Sequence, residues 1–398
     1  MHRLVAALLL ICSYPFEASG SEVSTFWDER EIAISEVTDA APVRIGIWDS
    51  GVDLSLFSSQ IAMNSEGRPL VRGYDAFKQR QDTPMAVLPL DLAARRDGLN
   101  RDLAAFDDVN DGLATDAAST FLTTYDAMTG EAQAQYEADL SRWSGYVHGT
   151  GVADIAIRKI PSAQLLVARM EWWHGSPPVP CWTRELADRE AASIGDLLEF
   201  LVRSGARVVN MSWGRFETSY IQNLEECAPQ MSEQERRGLA RYTVETIRSV
   251  LKSGMEQSPH VLFVAAAGNA GKTLESENPA TRFSLPNLLL VGAVDAKGEL
   301  ADFSNTGIDV SLYANGYRIP ARMPGGFESH PSGTSMATPN VTNAAAKIIA
   351  LVPSLSGAKL KEVLLVSADT NSTGQSLLHP QRALAEARSR NDAKPASE

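Results

Sequence analysis

Cysteine is scarce in this chain, with three residues in 398, and none stands in the Cys/His spacing of a zinc site. A disulfide-dense scaffold and a zinc-held module are therefore excluded. Histidine is also sparse, at six residues, so a reaction that needs an imidazole has few to choose from. Basic residues are outnumbered, 36 Lys and Arg against 49 Asp and Glu, for a formal charge of −13. That balance argues against a nucleic-acid partner, which needs a basic patch. There is no internal repeat and no long low-complexity tract. Beyond residue 20, no apolar run is long enough to span a bilayer, so no membrane contact is expected of the mature chain.

What is present begins with a targeting pattern. Arg3 precedes the apolar run Leu4 to Ile11, and Ala18-Ser19-Gly20 offers small residues for cleavage. Residues 1–20 therefore read as a signal peptide, against the alternative of a buried N-terminal strand. Bulky Ile11 argues against lipidation of Cys12. The predicted destination is the periplasm or the medium. Export would leave Cys181 and Cys227, read either as a disulfide closing a 46-residue loop or as two buried thiols.

Residues 21–42 lack periodicity and read as an extension or surface arm. Val43 to Trp48 is a predicted strand that turns at Asp49-Ser50-Gly51. From about 59 to 143 the chain is polar, rich in Asp and Ala and only weakly helical, and it reads as an insertion. A helix is expected to open at His148 in His148-Gly149-Thr150-Gly151, followed by a strand from Gln164 to Met170. Residues 189–204 form a helix with Ile194, Leu197, Leu198, Leu201 and Val202 on one face. Arg207 to Trp213, His260 to Ala267 and Leu288 to Val294 are further strands, and Ser232-x-x-Glu235 is a capping box. Strands with near-continuous apolar runs, alternating with helices, predict an α/β fold. Its form is a three-layer, doubly wound sandwich on a mainly parallel central sheet. The catalytic domain is expected over 43–370, and 371–398 reads as a tail with one helical patch. Ligands in such folds sit beyond the carboxyl ends of the strands.

The chemistry centres on Gly333-Thr334-Ser335-Met336-Ala337-Thr338-Pro339. Val341, Ala344, Ala345, Ile348, Ile349 and Val352 recur at helical spacing, and Pro339 is tolerated only near the start of a helix. Ser335 is thus placed where unpaired backbone N–H groups favour an alkoxide and an oxyanion. A serine there is often only a cap. A serine nucleophile needs a base, and His148 between small residues can serve, with Asp49 at the end of a strand to orient it. Each alone has a plainer role, as turn or cap residue. In the order Asp, His, Ser they match a known triad order. Asn269, in Ala265-Ala266-Ala267-Gly268-Asn269, places a side-chain amide among small residues, where it can donate to an oxyanion or simply adopt a turn.

These blocks resemble the subtilisin-type serine proteases, the subtilases. The blocks are Ile47-Trp48-Asp49-Ser50-Gly51-Val52, His148-Gly149-Thr150-Gly151-Val152-Ala153, Val209-Asn210-Met211-Ser212-Trp213-Gly214, Ala267-Gly268-Asn269 and the Ser335 run. Asn278-Pro279-Ala280, Val291 to Asp295 and Phe303-Ser304-Asn305 add weaker likeness, and the whole covers about Val43 to Asp369. The resemblance implies a secreted serine endopeptidase acting on peptide or protein substrates through an acyl-enzyme. Asp49 would orient His148, His148 would act as base and then acid, Ser335 would attack, and Asn269 would bind the oxyanion. Ser212, Trp213 and Gly214 with Ala266, Ala267 and Gly268 would form the two edges that hold substrate and wall its pocket.

Several features depart from the family pattern. Gly151 stands where relatives often carry a second histidine, Trp213 is bulky for its strand, and the 99 residues from Asp49 to His148 are many. Residues 21–42 are too short for a folded pro-domain, leaving folding unaided, through the insertion, or with a partner. No cofactor is needed for the chemistry. The run Asp107-Asp108-Val109-Asn110-Asp111-Gly112 is a candidate for structural Ca²⁺ but lacks the EF-hand spacing, and a solvated acidic turn is the expectation. Two rival functions follow from the same residues. One is an esterase using Ser335, Asp369 and His379, which leaves Asp49, His148 and Asn269 without a role. The other is a catalytically silent member serving as a binding module or scaffold.

Overall fold

A computed structural model describes residues 25–171, 180–274 and 284–392. The signal-peptide segment, Cys12, His174 and Asn278-Pro279-Ala280 lie outside the described residues. The chain forms a nine-stranded sheet in the order β10-β11-β7-β6-β5-β4-β1-β3-β2. Its strands are β1 (Val43–Asp49), β2 (Val71–Tyr74), β3 (Ala163–Met170), β4 (Val208–Met211), β5 (Leu262–Ala266), β6 (Leu288–Val294), β7 (Val310–Asn315), β10 (Asp369–Thr370) and β11 (Ser376–Leu377). All neighbours pair in parallel except β10 with β11. A separate two-stranded ribbon joins β8 (Ala321–Arg322) to β9 (Glu328–Ser329).

The helices are α1 (Ile34–Val37), α2 (Leu90–Ala94), α3 (Arg96–Asn110), α4 (Asp116–Asp126), α5 (Gly130–Ala156), α6 (Arg184–Arg203), α7 (Glu217–Cys227), α8 (Glu233–Glu256), α9 (Thr334–Leu351), α10 (Gly357–Val366) and α11 (Pro380–Asp392). Alternate side chains of each strand feed two cores. Ile45, Ile47, Leu165, Val167, Val208 and Leu262 pack with α5, α9, α10 and α11. Trp48, Leu166, Ala168, Val209 and Phe263 pack with α6 and α8 on the other face. Both faces being covered, the strands carry apolar residues at nearly every position. The three-layer α/β architecture follows.

Four elements differ from the expectations above. The helix expected to open at His148 instead begins at Gly130 and runs through His148 for 27 residues. Gly149 and Gly151 each cost about 1 kcal/mol in a helix interior, which hides the helix from a propensity reading. The expected insertion contributes the edge strand β2 and helices α2 to α4, with a small core of Leu99, Leu103, Phe121, Leu140 and Trp143. Trp143 Nε1 donates to Asn100 Oδ1 at 2.9 Å inside it. Helix α6 starts at Arg184, not 189, because Thr183 caps it by accepting from Leu186 N at 3.1 Å. Helix α8 opens, as its sequence predicts, on the Ser232–Glu235 capping box and extends four residues past Lys252 to Glu256.

The ends of the described chain are part of the fold. Ile32 and Val37 are buried in the main core, and Trp27 Nε1 donates to Asp295 O at 3.0 Å. Residues 25–42 are therefore no free arm. At the other end α11 buries Ala383, Leu384 and Ala387, so much of the expected tail is packed. Between them, the ammonium of Lys347, on α9 and only 1% exposed, meets Glu31 Oε2 at 2.6 Å.

Removing one partner of a buried pair leaves the other charge uncompensated. Glu31→Ala is expected to cost about 2 kcal/mol, less than a fully buried pair would because Glu31 is partly solvated, lowering Tm by about 4 °C. Thermal unfolding checks this, and Lys347→Met added to Glu31→Ala should recover most of the loss.

Candidate active site

Asp49 is the last residue of β1 and is 1% exposed. Its Oδ1 accepts from Ser50 N at 2.7 Å and lies 2.8 Å from His148 Nδ1. A carboxylate oxygen can only accept, so Nδ1 carries the proton and Nε2 is left with its lone pair. Helix α5 reaches the end of β1 because Gly149 has no side chain. A Cβ there would lie 2.4 Å from Gly51 O and 3.0 Å from Asp49 Oδ1. Gly149 N also donates to Ser50 Oγ at 3.1 Å, closing the strand end onto the helix.

Ser335 is the second residue of α9. Pro339 sits at the sixth position, one turn further in than expected. Its missing N–H is the group that would have bonded to Ser335 O. That carbonyl instead accepts from Ser212 Oγ at 2.9 Å. Ser212 Oγ in turn accepts from Asn210 Nδ2 at 2.9 Å, and Thr342 Oγ1 donates to Asn210 Oδ1 at 3.0 Å. The proline thus frees an acceptor that pins the helix bearing Ser335 to β4. Ser335 Oγ donates to Ser212 O at 3.3 Å. Asp49 and Ser212 each stand two residues beyond the register pair Ile47 and Asn210 on neighbouring strands. Neighbouring strands run about 4.8 Å apart, so Asp49 with His148, and Ser335 with Ser212, occupy adjacent strand ends.

Asn269 follows β5. Its Oδ1 accepts from Thr334 N and Thr334 Oγ1, both at 2.8 Å, which fixes the amide and turns Nδ2 toward Gly333. A Cβ on Gly333 would lie 3.1 Å from Asn269 Nδ2 and 3.6 Å from Ser335 N. Two N–H donors therefore lie on the same side of Gly333, where its side chain would be. Asn305, given no role from the sequence, holds this loop: Nδ2 donates to Ala267 O at 2.9 Å, and Oδ1 accepts from Ala270 N and Lys272 N. Asn210, Thr334 and Thr342 were likewise not singled out. The available signal was polar residues set inside otherwise apolar runs.

Ser212-Trp213-Gly214 and Ala266-Ala267-Gly268 continue β4 and β5 past the sheet edge. Trp213 lines the cavity beside these edges. It buries its indole against Trp48 with ring centroids 5.1 Å apart. Cys181 and Cys227 form a disulfide. It anchors the end of α7 and is worth about 4 kcal/mol through the unfolded chain.

The acidic run of the insertion is neither a solvated turn nor a cluster of free carboxylates. Arg318 Nη1 meets Asp108 Oδ1 at 2.8 Å and Asp111 Oδ2 at 3.2 Å. Ser332 Oγ donates to Asp111 Oδ2 at 3.0 Å, which ties the insertion to the loop before Ser335. Among the described residues, no group of three or more His, Cys, Asp or Glu is placed to hold a metal ion. Burial, followed by the charge of Asp111, pushes the Asp107 carboxyl up to about 8. The carboxyl of the esterase alternative, Asp369, is engaged by Arg30 and Arg382.

The model of the subtilase family matches residues 41–383. Over 107 residues, 27% of this chain, the sequence is 36% identical to subtilisin amylosacchariticus of Bacillus subtilis subsp. amylosacchariticus, and covers 28% of that protein's length. It is 40% identical over 103 residues to the subtilisin-like serine protease Pen ch 13 of Penicillium rubens, covering 26% of this chain and 24% of that one. The chain thus spans under a third of the length of these relatives. The A-subunit of the AB5 toxin from E. coli aligns over 91% of this chain and 98% of its own, at 18% identity and a TM-score of 0.52. A lanthipeptide protease aligns over 88% and 92%, at 16% identity and a TM-score of 0.51. Those two likenesses are of fold.

The raised Asp107 carboxyl makes stability depend on pH. The unfolded chain gives up this proton near 3.8 and the native chain near 8, so its stabilising contribution is complete below 3.8 and lost as pH rises to 8. Asp107→Asn should therefore raise Tm relative to the wild type by a margin that widens from pH 5 to pH 8, reaching about 3 °C. A margin independent of pH in paired melting curves would contradict this.

Proposed function

The chain belongs to the subtilase family, matched over residues 41–383, and from that premise we propose that it is an exported serine endopeptidase cleaving peptide or protein substrates. The observation that carries the proposal is the Asp49–His148 contact at 2.8 Å, set beside a serine and two N–H donors at adjacent strand ends. Asp49 holds the Nδ1–H tautomer, which leaves His148 Nε2 to take the Ser335 proton as Oγ attacks the peptide carbonyl. The 3.3 Å bond from Ser335 Oγ to Ser212 O is long for a hydroxyl donor and costs little to release. Negative charge developing on the carbonyl oxygen is met by Ser335 N–H and Asn269 Nδ2. Each such donor contributes about 3–4 kcal/mol, a magnitude taken from a relative in this family. His148 then returns the proton to the leaving amine, and water resolves the acyl-enzyme by the same steps reversed.

An extended peptide is the substrate shape that fits, because Ser212–Gly214 continues β4 as a backbone edge for added-strand pairing. The N–H and C=O groups of Ala267 and Gly268 are engaged within the protein, so these residues can only wall the slot beside it. The rigid hold on Asn269, through Thr334 and the Asn305 loop, supplies preorganisation that a mobile amide lacks. Export rests on the N-terminal pattern. No helix of the described residues is long and apolar enough to cross a membrane.

The test is mass spectrometry of the purified protein after incubation with a fluorophosphonate probe. A single adduct on Ser335 is expected, and none on a folded sample would overturn the proposal. Ser335→Ala should lower peptide hydrolysis by at least about 10³-fold with Tm unchanged. His379→Ala should change it less than about threefold, whereas an esterase using His379 would lose ester turnover.

A further inference from the structure

The slot between Ser212–Gly214 and Ala266–Gly268 is, on the proteolytic reading just given, where the side chain on the acyl side of the scissile bond must sit. In this structure it holds a side chain of the protein itself. A Cβ on Gly214 would lie 2.9 Å from Phe216 Cε2 and 3.1 Å from Cζ, and one on Gly268 would lie 3.5 Å from the same Cζ. The Phe216 ring therefore touches the inner faces of both glycines and spans the gap between the two edges.

The ring is held on both sides along the chain. Before it, Arg215 Nε donates to Glu190 Oε1 at 2.8 Å, and Glu190 is buried with Tyr220 donating to Oε2 at 3.0 Å. Burial alone would raise the Glu190 carboxyl, but Arg215 and Lys78 bring it down to about 2, so the anchor stays ionised across the working range of a protease. After it, Phe216 is the N-cap residue of α7, whose last residue, Cys227, is bonded to Cys181. Asn223 of the same helix accepts from Trp182 N at 2.8 Å. The backbone on both sides of the ring is therefore fixed. Adjoining the ring is a largely apolar cavity of about 150 Å³, lined by Phe216, Trp213, Leu288 and Leu290 with Arg248, Asp309 and Lys361 also on its wall.

We propose that Phe216 is the specificity-determining residue of this site. It limits the residue on the acyl side of the cleaved bond to glycine, alanine or serine, and without its ring the slot opens into the apolar cavity and admits large apolar side chains. The side chain that spans the gap is thus Phe216, while Trp213 packs against Trp48.

The experiment compares two tetrapeptide p-nitroanilides that differ only in a final Ala or Phe, with the full chain as wild type, Phe216→Ala and Phe216→Leu. Fluorophosphonate labelling of Ser335 is followed in parallel. The ratio of kcat/KM for the two substrates within one variant cancels changes common to both. The wild type should favour Ala by at least about tenfold, Phe216→Ala should shift the ratio toward Phe by at least about thirtyfold, and Phe216→Leu should fall between. Should Phe216→Ala fail to fold, Phe216→Leu carries the comparison. A wild type that cleaves after Phe as well as after Ala, or a ratio unmoved in the folded variants, overturns the proposal while labelling still supports proteolysis. Labelling without turnover of the Ala substrate also overturns it. Absence of both labelling and turnover overturns the proteolytic reading, and this proposal with it.

Discussion

The site depends on how closely a helix can approach the end of a strand. Asp49 and His148 reach hydrogen-bond distance because α5 meets β1 with no side chain between them, at Gly149. A methyl group there would collide with Gly51 O and with the carboxylate itself. The helix in turn needs the sheet to end where it does. The parallel register puts Asp49 beside Ser212, and Ser212 holds both the carbonyl and the hydroxyl of Ser335. One packing distance therefore sets the relation of Asp49 to His148, beside the strand end that holds Ser335.

Much of this was legible in the sequence, for a physical reason. Strands covered on both faces must be apolar at nearly every position, so β1, β3, β5 and β6 stand out as short apolar runs ending in polar residues. Asp49 and Asn269 were readable because each is a polar residue at or just past such an end, and Ser335 because it opens an apolar helix. What escaped was what tertiary contact decides. Helix α5 carries glycines where it packs tightest, so its local signal is weakest over the functional stretch. Asn210, Asn305 and Thr342 act by holding other groups, and only their partners reveal that. Phe216 has no sequence signal at all, since its position follows from the turn after Gly214 and the anchoring of Arg215.

The segment between β1 and α5 is more than an excursion from the fold. It supplies an edge strand, a small core of its own and the carboxylates that engage Arg318 beside the Ser335 loop. Residues 25–42 act in the same sense at the back of the molecule, where Glu31 neutralises a lysine of the helix bearing Ser335. Both lie far from Ser335 in sequence, and both make polar contacts with the helix that bears it or the loop before it. Such bracing suits a reaction that relies on donors fixed in advance.

The Cys181–Cys227 bond has a consequence for survival among copies of the same enzyme. The ring it closes contains α6, β4, the substrate edge at Ser212–Gly214 and α7. A protease at high concentration is exposed to cleavage by its neighbours, and exposed turns around α7 are the ready targets. A single cut inside this ring releases no fragment, because both new ends remain joined through the disulfide. Autolysis there would nick the molecule without detaching Ser212–Gly214.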